Sequence, residues 1–279
     1  KMSPALLGDA ADPDAVASTG GVPDGAVRDT VVLPYNDVEN SRRIVEANAA
    51  ELAAVIVEPM LGSAGMIPAS LEYLTMLRDV TQRHGILLVF DEVVTLRLAR
   101  GGAQERYGVM PDLTALGKVI GGGLPVGGFG GRADIMELFD PTQGPKVSQA
   151  GTFTGNPVTM AAGLAAMEKL TPEVMMRTEA LRDQLADGIR DVSAEFGVPV
   201  QVTGMGPFYA MHFTDHAVNN FRDAANVDQE FKRQMFLGLM NEGILVASYM
   251  VGSLSTPMTE ADVESHVDAL RRVLARRAE

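Results

Sequence analysis

The sequence has no cysteine among its 279 residues. This absence excludes disulfide bonds, thiolate nucleophiles and cysteine-ligated metal sites from the chain. It is typical of proteins from a reducing compartment, and we therefore expect a cytoplasmic location. Histidine is also scarce: the four histidines show no spacing typical of a metal site, so no metal is predicted.

Basic residues are outnumbered, with 23 Lys and Arg against 36 Asp and Glu, which gives a formal net charge of −13. This balance argues against nucleic acid or an anionic membrane as the main partner. Long apolar runs are lacking too, and none reaches the length of a membrane span. We therefore expect small-molecule partners, for which a local basic pocket could still bind an anion.

What the chain does contain is enough apolar material, 46% of its residues, for a sizeable core. Helix-like and strand-like segments alternate along most of the length, which predicts an α/β fold. The pattern of predicted helices and strands changes after Gly197. We therefore predict a large domain over residues 1–197 and a small C-terminal domain over residues 198–279. In the small domain, residues 244–247 read as a strand. The opening Lys1-Met2-Ser3-Pro4 leads directly into a loop, which is typical of the middle of a longer protein.

Three polar residues follow short apolar runs that read as strands buried on both faces. Glu58 follows the run at residues 53–57, Asp91 follows the next run, and Lys118 follows a third. Each spacing suits one strand–helix–strand unit. Because the carboxyl ends of parallel strands converge on the ligand crevice of an open α/β sheet, we predict that two carboxylates and one lysine share one rim.

Lys118 lies between an apolar run and the glycines at 121–123, an unusual place for a solvated charge. A lysine in such surroundings can lose its proton near neutral pH and form a Schiff base with a carbonyl. Most lysines near glycines are simply loop residues. The presence of Asp91 at the same predicted rim is what favours a catalytic role for Lys118. Such a pair beside glycine loops suggests pyridoxal phosphate, with Asp91 keeping the pyridine nitrogen protonated. The glycine cluster lacks the spacing of a phosphate loop and reads as a tight turn.

Five stretches of the chain together resemble the fold-type I, class III pyridoxal-phosphate aminotransferases. This group includes glutamate-1-semialdehyde aminomutase and the β-amino-acid (β-phenylalanine-type) aminotransferases. The resemblance implies a mostly parallel large-domain sheet flanked by helices, with a smaller α+β C-terminal domain. The stretches lie at residues 55–59, 88–93, 111–118, 120–131 and 151–157.

The same resemblance implies a set of residues that bind the cofactor pyridoxal 5'-phosphate. Lys118 matches the Schiff-base lysine, and Asp91 matches the aspartate that pairs with the pyridine nitrogen. Val93 matches the side chain packed on one ring face. Thr152 matches the threonine that reaches the cofactor phosphate of the neighbouring subunit, which implies a homodimer with shared sites.

Further site residues follow from the resemblance or from local chemistry. Glu58 matches a glutamate near substrate and cofactor, and Ser63 stands where relatives have Asn or Gln near the ring hydroxyl. Arg97 is a candidate for binding a substrate carboxylate, with a surface ion pair as the equal alternative. Tyr249 falls where the β-amino-acid subgroup has a nearby arginine, and a tyrosine cannot form a bidentate ion pair with a carboxylate. Glu92 reads as a structural hydrogen-bonding group.

The expected function is transamination through a Lys118 Schiff base. The amino group would move between an amino acid, including a β-amino acid, or an amine, and a keto acid or aldehyde. One alternative is a glutamate-1-semialdehyde 2,1-aminomutase, although the gating glutamate of that enzyme is not found. Another is a non-catalytic fragment, because the family's N-terminal region, with its phosphate-binding loop, is not found in this chain and the large domain is therefore expected to be incomplete.

Overall fold

A computed structural model describes residues 7–144 and 146–278. The chain divides into two compact units. One unit contains the described residues up to Asn48, the segment Met60–Met76 and the described residues from Arg177 onward, and the other contains Ala49–Pro59 and Leu77–Met176. The domain boundary near residue 197, which rests on the change in sequence pattern there, stays a prediction.

The helices and strands alternate through most of the described chain. The helices are α1 (Val38–Ala47), α2 (Leu71–His84), α3 (Gly102–Tyr107), α4 (Ala133–Met136), α5 (Pro157–Lys169), α6 (Pro172–Glu195), α7 (Phe221–Ala225), α8 (Gln229–Asn241) and α9 (Glu260–Ala278). The strands are β1 (Ala54–Val57), β2 (Met60–Leu61), β3 (Ile67–Pro68), β4 (Leu87–Asp91), β5 (Leu113–Gly117), β6 (Gly127–Gly131), β7 (Gln201–Thr203), β8 (Phe208–His212) and β9 (Val251–Ser253).

The unit formed by Ala49–Pro59 and Leu77–Met176 is built on a four-stranded sheet in the order β1-β4-β5-β6. The first three strands are parallel, and β6 is antiparallel to β5. A mostly parallel sheet whose strands alternate with helices confirms the predicted α/β class. The parallel direction matters most for the site, because it brings the carboxyl ends of β1, β4 and β5 to the same edge.

Burial on β1 differs from the sequence prediction of a strand covered on both faces. Val55 and Val57 are buried, whereas Ile56 is 67% exposed, so the strand alternates. In parallel sheets the second face is normally covered by a layer of helices. Within the described part of this unit, that layer does not cover the face of β1 on which Ile56 lies.

The other unit contains a three-stranded antiparallel sheet, β7-β8-β9, packed with helices from the C-terminal part of the chain. Its core combines Leu185 of α6, Met211 of β8, Leu239 of α8 and Leu270 of α9. This α+β arrangement is the one expected for the C-terminal part. None of the helices that the structure describes is long and apolar enough to cross a membrane.

The strand predicted at residues 244–247 is wrong. Those residues form a loop in which Val246 is buried and Leu245 is 85% exposed. A turn follows, closed by hydrogen bonds from Ala247 N to Val251 O (2.8 Å) and from Met250 N to Ala247 O (2.7 Å). Pairing with β8 begins at the end of this turn, where Met250 O accepts from Met211 N at 3.0 Å, and continues through β9.

Candidate active site

Three polar residues stand at the carboxyl ends of neighbouring parallel strands. Glu58 directly follows β1, Asp91 ends β4 and Lys118 directly follows β5. The register pairs Val57 with Phe90 and Asp91 with Ala115. The structure therefore places these three residues at one edge of the sheet, and their roles stay predictions.

Lys118 has an unusual backbone conformation. Its φ is +49°, in the left-handed region that residues other than glycine seldom adopt, and it follows an extended Gly117. Such a conformation costs on the order of 1–3 kcal/mol and is concentrated at functional sites. The side chain is exposed, and it makes no hydrogen bond or ion pair to any residue that the structure describes. Its amine is therefore available for chemistry.

The glycine cluster after Lys118 is a tight turn, as the sequence suggested, and packs directly on α5. Gly122 has a φ of +59°, and a Cβ there would collide with the Ala162 carbonyl group. From the helix side, a Cβ on Gly163 would collide with the Ile120 carbonyl oxygen. The two glycines thus allow a close approach of turn and helix, and α5 supports the segment that carries Lys118.

Asp91 is half-buried, and one of its two carboxylate oxygens is engaged. Oδ1 accepts a hydrogen bond from the Val93 N–H at 3.0 Å. Oδ2 accepts no hydrogen bond from the residues of the described ranges. Val93 in turn lies against Gly117, since a Cβ added to that glycine would be 3.3 Å from Val93 Cγ1. Asp91, Val93 and the residue before Lys118 therefore form one contiguous group.

The other candidates in this unit differ in exposure. Glu58 and Arg97 are half-buried, and both take part in interactions within the protein. Burial lowers the pKa of Arg97 because desolvation disfavours the charged form, although a guanidinium remains charged at neutral pH. Thr152 is exposed in the segment before α5, next to Phe153, whose side chain is 81% exposed.

Ser63 and Tyr249 belong to the other compact unit. Ser63 is exposed in the turn between β2 and β3. That turn is held at the Gly65 carbonyl oxygen, which lies 2.6 Å from Thr203 Oγ1 and 3.1 Å from His212 Nε2. Tyr249 is half-buried in the turn before β9. The cofactor and substrate roles of both residues stay predictions.

Sequence reasoning missed the residues that secure the loop after β4. The carboxylate of Glu92 lies against Gly102 and accepts a hydrogen bond from Gln104, both at the start of α3. The Gln104 side chain also lies 3.3 Å from Thr114 Oγ1 of β5. A positive φ at Gly102 is the conformation that favours glycine. However, only the fold brings residues 92, 102 and 114 together, so the sequence carries no local signal for this group.

Comparison with known proteins decides the family. The model of the family Aminotransferase class-III matches residues 14–272 of the chain. The chain belongs to the class III aminotransferases. The predicted fold type I is confirmed by solved relatives with the same architecture.

Class III aminotransferases of more than one named activity are similar to this chain. Glutamate-1-semialdehyde 2,1-aminomutase 2 of Brevibacillus brevis is 42% identical over 253 residues, which cover 89% of this chain and 58% of that protein. An omega-transaminase from Sphaerobacter thermophilus is 43% identical with a TM-score of 0.92, covering 96% of this chain and 62% of that one. A β-phenylalanine aminotransferase from Variovorax paradoxus is 42% identical with a TM-score of 0.82, covering 89% and 58%.

This class III chain spans only part of the length of these relatives, 58–62% in the three comparisons. The matched part contains the strand ends that carry Glu58, Asp91 and Lys118. Family membership therefore rests on the segment in which the candidate site lies.

Proposed function

We propose that the protein is a pyridoxal-phosphate-dependent aminotransferase that moves an amino group between an amino acid or amine and a keto acid or aldehyde. The observation that carries this proposal is the placement of Asp91 and Lys118 at neighbouring parallel strand ends in a class III aminotransferase fold. The solved relatives include a transaminase with PLP bound, 30% identical with a TM-score of 0.86, which supports the cofactor.

The chemistry of the available side chains fits this cofactor. Lys118 has an unengaged amine for the cofactor's aldehyde carbon, and Asp91 Oδ2 is an unengaged acceptor for a protonated pyridine nitrogen. Val93 offers an apolar surface beside Gly117 for one ring face. We assign Glu58 and Ser63 to the surroundings of the cofactor on the resemblance alone.

The chemistry of each side chain indicates the role that it would have in the reaction. Bound pyridoxal phosphate supplies an electron sink for the negative charge that develops on the substrate carbon. Asp91, as a carboxylate, would hold the proton on the pyridine nitrogen. Lys118 would take the proton from the amine-bearing carbon through Nζ as a general base and return it as a general acid. Val93 would keep water from one side of the ring.

A direct test is covalent trapping. The protein is incubated with pyridoxal phosphate, reduced with borohydride, digested and examined by peptide mass spectrometry. We expect the cofactor on the peptide that contains Lys118, and no adduct after Lys118→Ala. Lys169→Ala, an exposed lysine at the end of α5, is the matched control and should leave the adduct unchanged. Absence of the Lys118 adduct would contradict the proposal and favour a non-catalytic role.

A second candidate activity is the 2,1-aminomutase reaction, in which the amino group stays on one carbon skeleton. The 42% identity to a protein of that name favours it. The two activities differ in whether an isotopically labelled amino group passes from a donor to a separate acceptor. Transfer between two molecules supports the aminotransferase, and exclusive retention on the donor skeleton supports the aminomutase.

Substrate contacts form a further part of the proposal. Arg97 is the candidate for a substrate carboxylate because it is a guanidinium in the loop after β4, although it already interacts within the protein. Tyr249 would contribute one hydroxyl in place of a cationic partner. Replacing Arg97 by Lys keeps the charge and removes the planar fork. A rise in KM for carboxylate-bearing donors, but not for simple amines, would support the assignment, whereas equal effects on both would contradict it.

The protein is also proposed to act as a homodimer in which Thr152 contacts the cofactor phosphate of the partner subunit. Thr152 is exposed, and Phe153, Val158 and Leu164 nearby in the sequence are large apolar side chains that are more than half exposed. Such side chains are typical of a surface covered in an assembly. Light scattering of the protein should give twice the monomer mass, and a monomer mass would contradict this part. The cytoplasmic location stays a prediction.

A further inference from the structure

Glu92 lies between the two proposed cofactor residues Asp91 and Val93, and its side chain is fully buried. Its carboxylate accepts four hydrogen bonds. Oε2 accepts from Thr95 Oγ1 (3.0 Å) and from the Ala103 N–H (2.6 Å). Oε1 accepts from the Gln104 N–H (2.9 Å) and from Gln104 Nε2 (3.1 Å). Both oxygens are thus occupied by donors from the loop after β4 and from the start of α3.

The Glu92 carboxylate is held as a hydrogen-bond acceptor at both of its oxygens. Three of the four contacts come from N–H groups, which cannot accept, and the fourth comes from a hydroxyl. A buried polar group is costly unless hydrogen bonds satisfy it, and here all the bonds come from one short stretch of chain. The loop must therefore keep this conformation for the carboxylate to stay hydrogen-bonded.

Glu92 is also tied to the strand that leads to Lys118. Its main-chain N–H donates to Ala115 O of β5 at 2.9 Å. The side-chain amide of Gln104, which donates to Glu92, also lies 3.3 Å from Thr114 Oγ1 of the same strand. These bonds link the residue after Asp91 both to β5 and to α3. A shift of this group would move Asp91 and Val93 relative to Lys118.

Gly102 completes the arrangement. It has a φ of +81°, and a Cβ there would lie 2.5 Å from Glu92 Oε2 and 2.7 Å from Oε1. Any side chain at position 102 would displace the carboxylate or the start of α3. The site thus depends on a carboxylate that accepts four hydrogen bonds and on a glycine that leaves space for it.

We propose that Glu92 is a positioning residue of the cofactor site. Through the four hydrogen bonds that it accepts, its buried carboxylate holds the loop after β4 so that Asp91 and Val93 keep their place beside the strand end that carries Lys118. This inference rests on the proposed function and adds to it the group that maintains its geometry. Glu92 touches neither cofactor nor substrate in this role and acts through its two sequence neighbours.

The test compares Glu92→Gln with wild type and with Asp112→Asn. Glu92→Gln keeps the size of the side chain but turns one acceptor oxygen into an NH₂ donor that faces other donors. Asp112 is a second buried carboxylate of the same sheet, hydrogen-bonded to Leu88 N, Arg78 and Arg132 at the opposite strand ends. It is the matched control, because losing it weakens the sheet without touching the loop after β4.

The readouts are the dissociation constant for pyridoxal phosphate and the pH midpoint of the visible absorbance of the bound cofactor. Both are measured on protein shown by circular dichroism to be folded. We expect Glu92→Gln to weaken binding by ~10-fold or more, the size typical of losing a residue that orients a directly contacting group, and to shift the pH midpoint. Asp112→Asn should lower the melting temperature and leave the midpoint unchanged. Gln104→Ala, which removes a single donor, should shift the midpoint in the same direction by less, and it provides the test if Glu92→Gln does not fold.

The outcomes separate the two proposals. If wild type binds cofactor on Lys118 and the folded variants of Glu92 and Gln104 keep its affinity and pH midpoint, the positioning role is overturned and the proposed function stands. If Asp112→Asn shifts the midpoint as far as Glu92→Gln does, the effect is one of general stability, and the positioning role is again overturned. If wild type forms no adduct on Lys118, the proposed function itself fails and the positioning role fails with it.

Discussion

Asp91 is paired in register with Ala115 on the neighbouring parallel strand, so the end of β4 lies beside the strand that ends just before Lys118. This relationship brings a carboxylate and an amine from distant parts of the sequence to one edge of a sheet. Both groups can still form hydrogen bonds, because Asp91 Oδ2 and the Lys118 amine form none with the residues that the structure describes. Changes to either group, or to the residues that support them, are therefore expected to have measurable effects.

Asp91→Asn should reduce turnover by at least about 100-fold, the scale seen when a charge-stabilising group is removed from an active site. The neutral amide cannot hold a positive charge on the pyridine nitrogen. Asp134→Asn serves as the control, because Asp134 is an exposed partner of Arg132 and exposed ion pairs contribute little. The measurement is kcat with any accepted donor. An Asp91→Asn protein with the turnover of wild type would contradict the assigned role.

Gly163→Ala should destabilise the protein by about 1–3 kcal/mol, the usual cost of forcing an extra methyl group into a packed contact. The new Cβ would collide with the Ile120 carbonyl oxygen and push α5 away from the turn after Lys118. Gly130→Ala in β6 is the control, because a Cβ there meets no atom within 4 Å. Urea unfolding measures both. Equal stability of the two variants would show that the contact is not needed.

Asp112→Asn should lower the free energy of unfolding at neutral pH by about 3 kcal/mol, as expected when one partner of a buried ion pair is removed. Burial raises the pKa of Asp112, but hydrogen bonds from Leu88 N–H, Arg132 and Arg78 outweigh it, so the net pKa is lowered. The carboxylate therefore stabilises the fold above its unfolded pKa, about 4, and this contribution is lost as pH falls through the folded pKa.

Urea unfolding of wild type and Asp112→Asn across the acid range tests this dependence. The difference between the two proteins should be full at neutral pH and should shrink as the pH falls below about 4. A difference that stays constant down to the lowest pH at which both proteins fold would contradict the role of the ionised carboxylate.

His212 should make the fold sensitive to mild acid. Burial lowers its pKa from 6.5 to about 4, although the hydrogen bond with the Gly65 carbonyl opposes the shift. The unfolded chain therefore binds a proton at a higher pH than the folded chain. The free energy of unfolding should fall as pH decreases from about 6.5 to about 4, by up to about 3 kcal/mol from this residue.

His212→Gln should flatten that decline, because glutamine does not titrate and can still donate towards Gly65 O. The same measurement on His266→Gln is a useful comparison, since burial also lowers the pKa of His266 to about 4. Each variant should remove part of the slope. A slope unchanged in His212→Gln would contradict the assigned pKa.

The local elements followed closely from sequence signals. A serine before a helix and an asparagine before a proline are cap signals in a sequence. Ser70 Oγ accepts the Tyr73 N–H at 3.0 Å, and Asn156 Oδ1 accepts from Val158 N at 3.0 Å. These caps act over two or three residues, a distance that sequence alone covers.

The loop at residues 244–247 shows the opposite case. Its apolar composition fits a strand, but pairing with β8 begins only at Met250 and continues through Val251–Ser253.

By itself, the sequence determined that Glu58, Asp91 and Lys118 end strands, because polar residues that follow apolar runs mark those points. It also determined the family, through motifs that surround them. Only the tertiary structure decided that β1, β4 and β5 are adjacent and parallel, that α5 supports the turn after Lys118, and that Glu92 is enclosed by the start of α3. The reason is physical: strand ends and caps depend on neighbouring residues, whereas sheet order and the hydrogen bonding of a buried carboxylate depend on groups that meet only after folding.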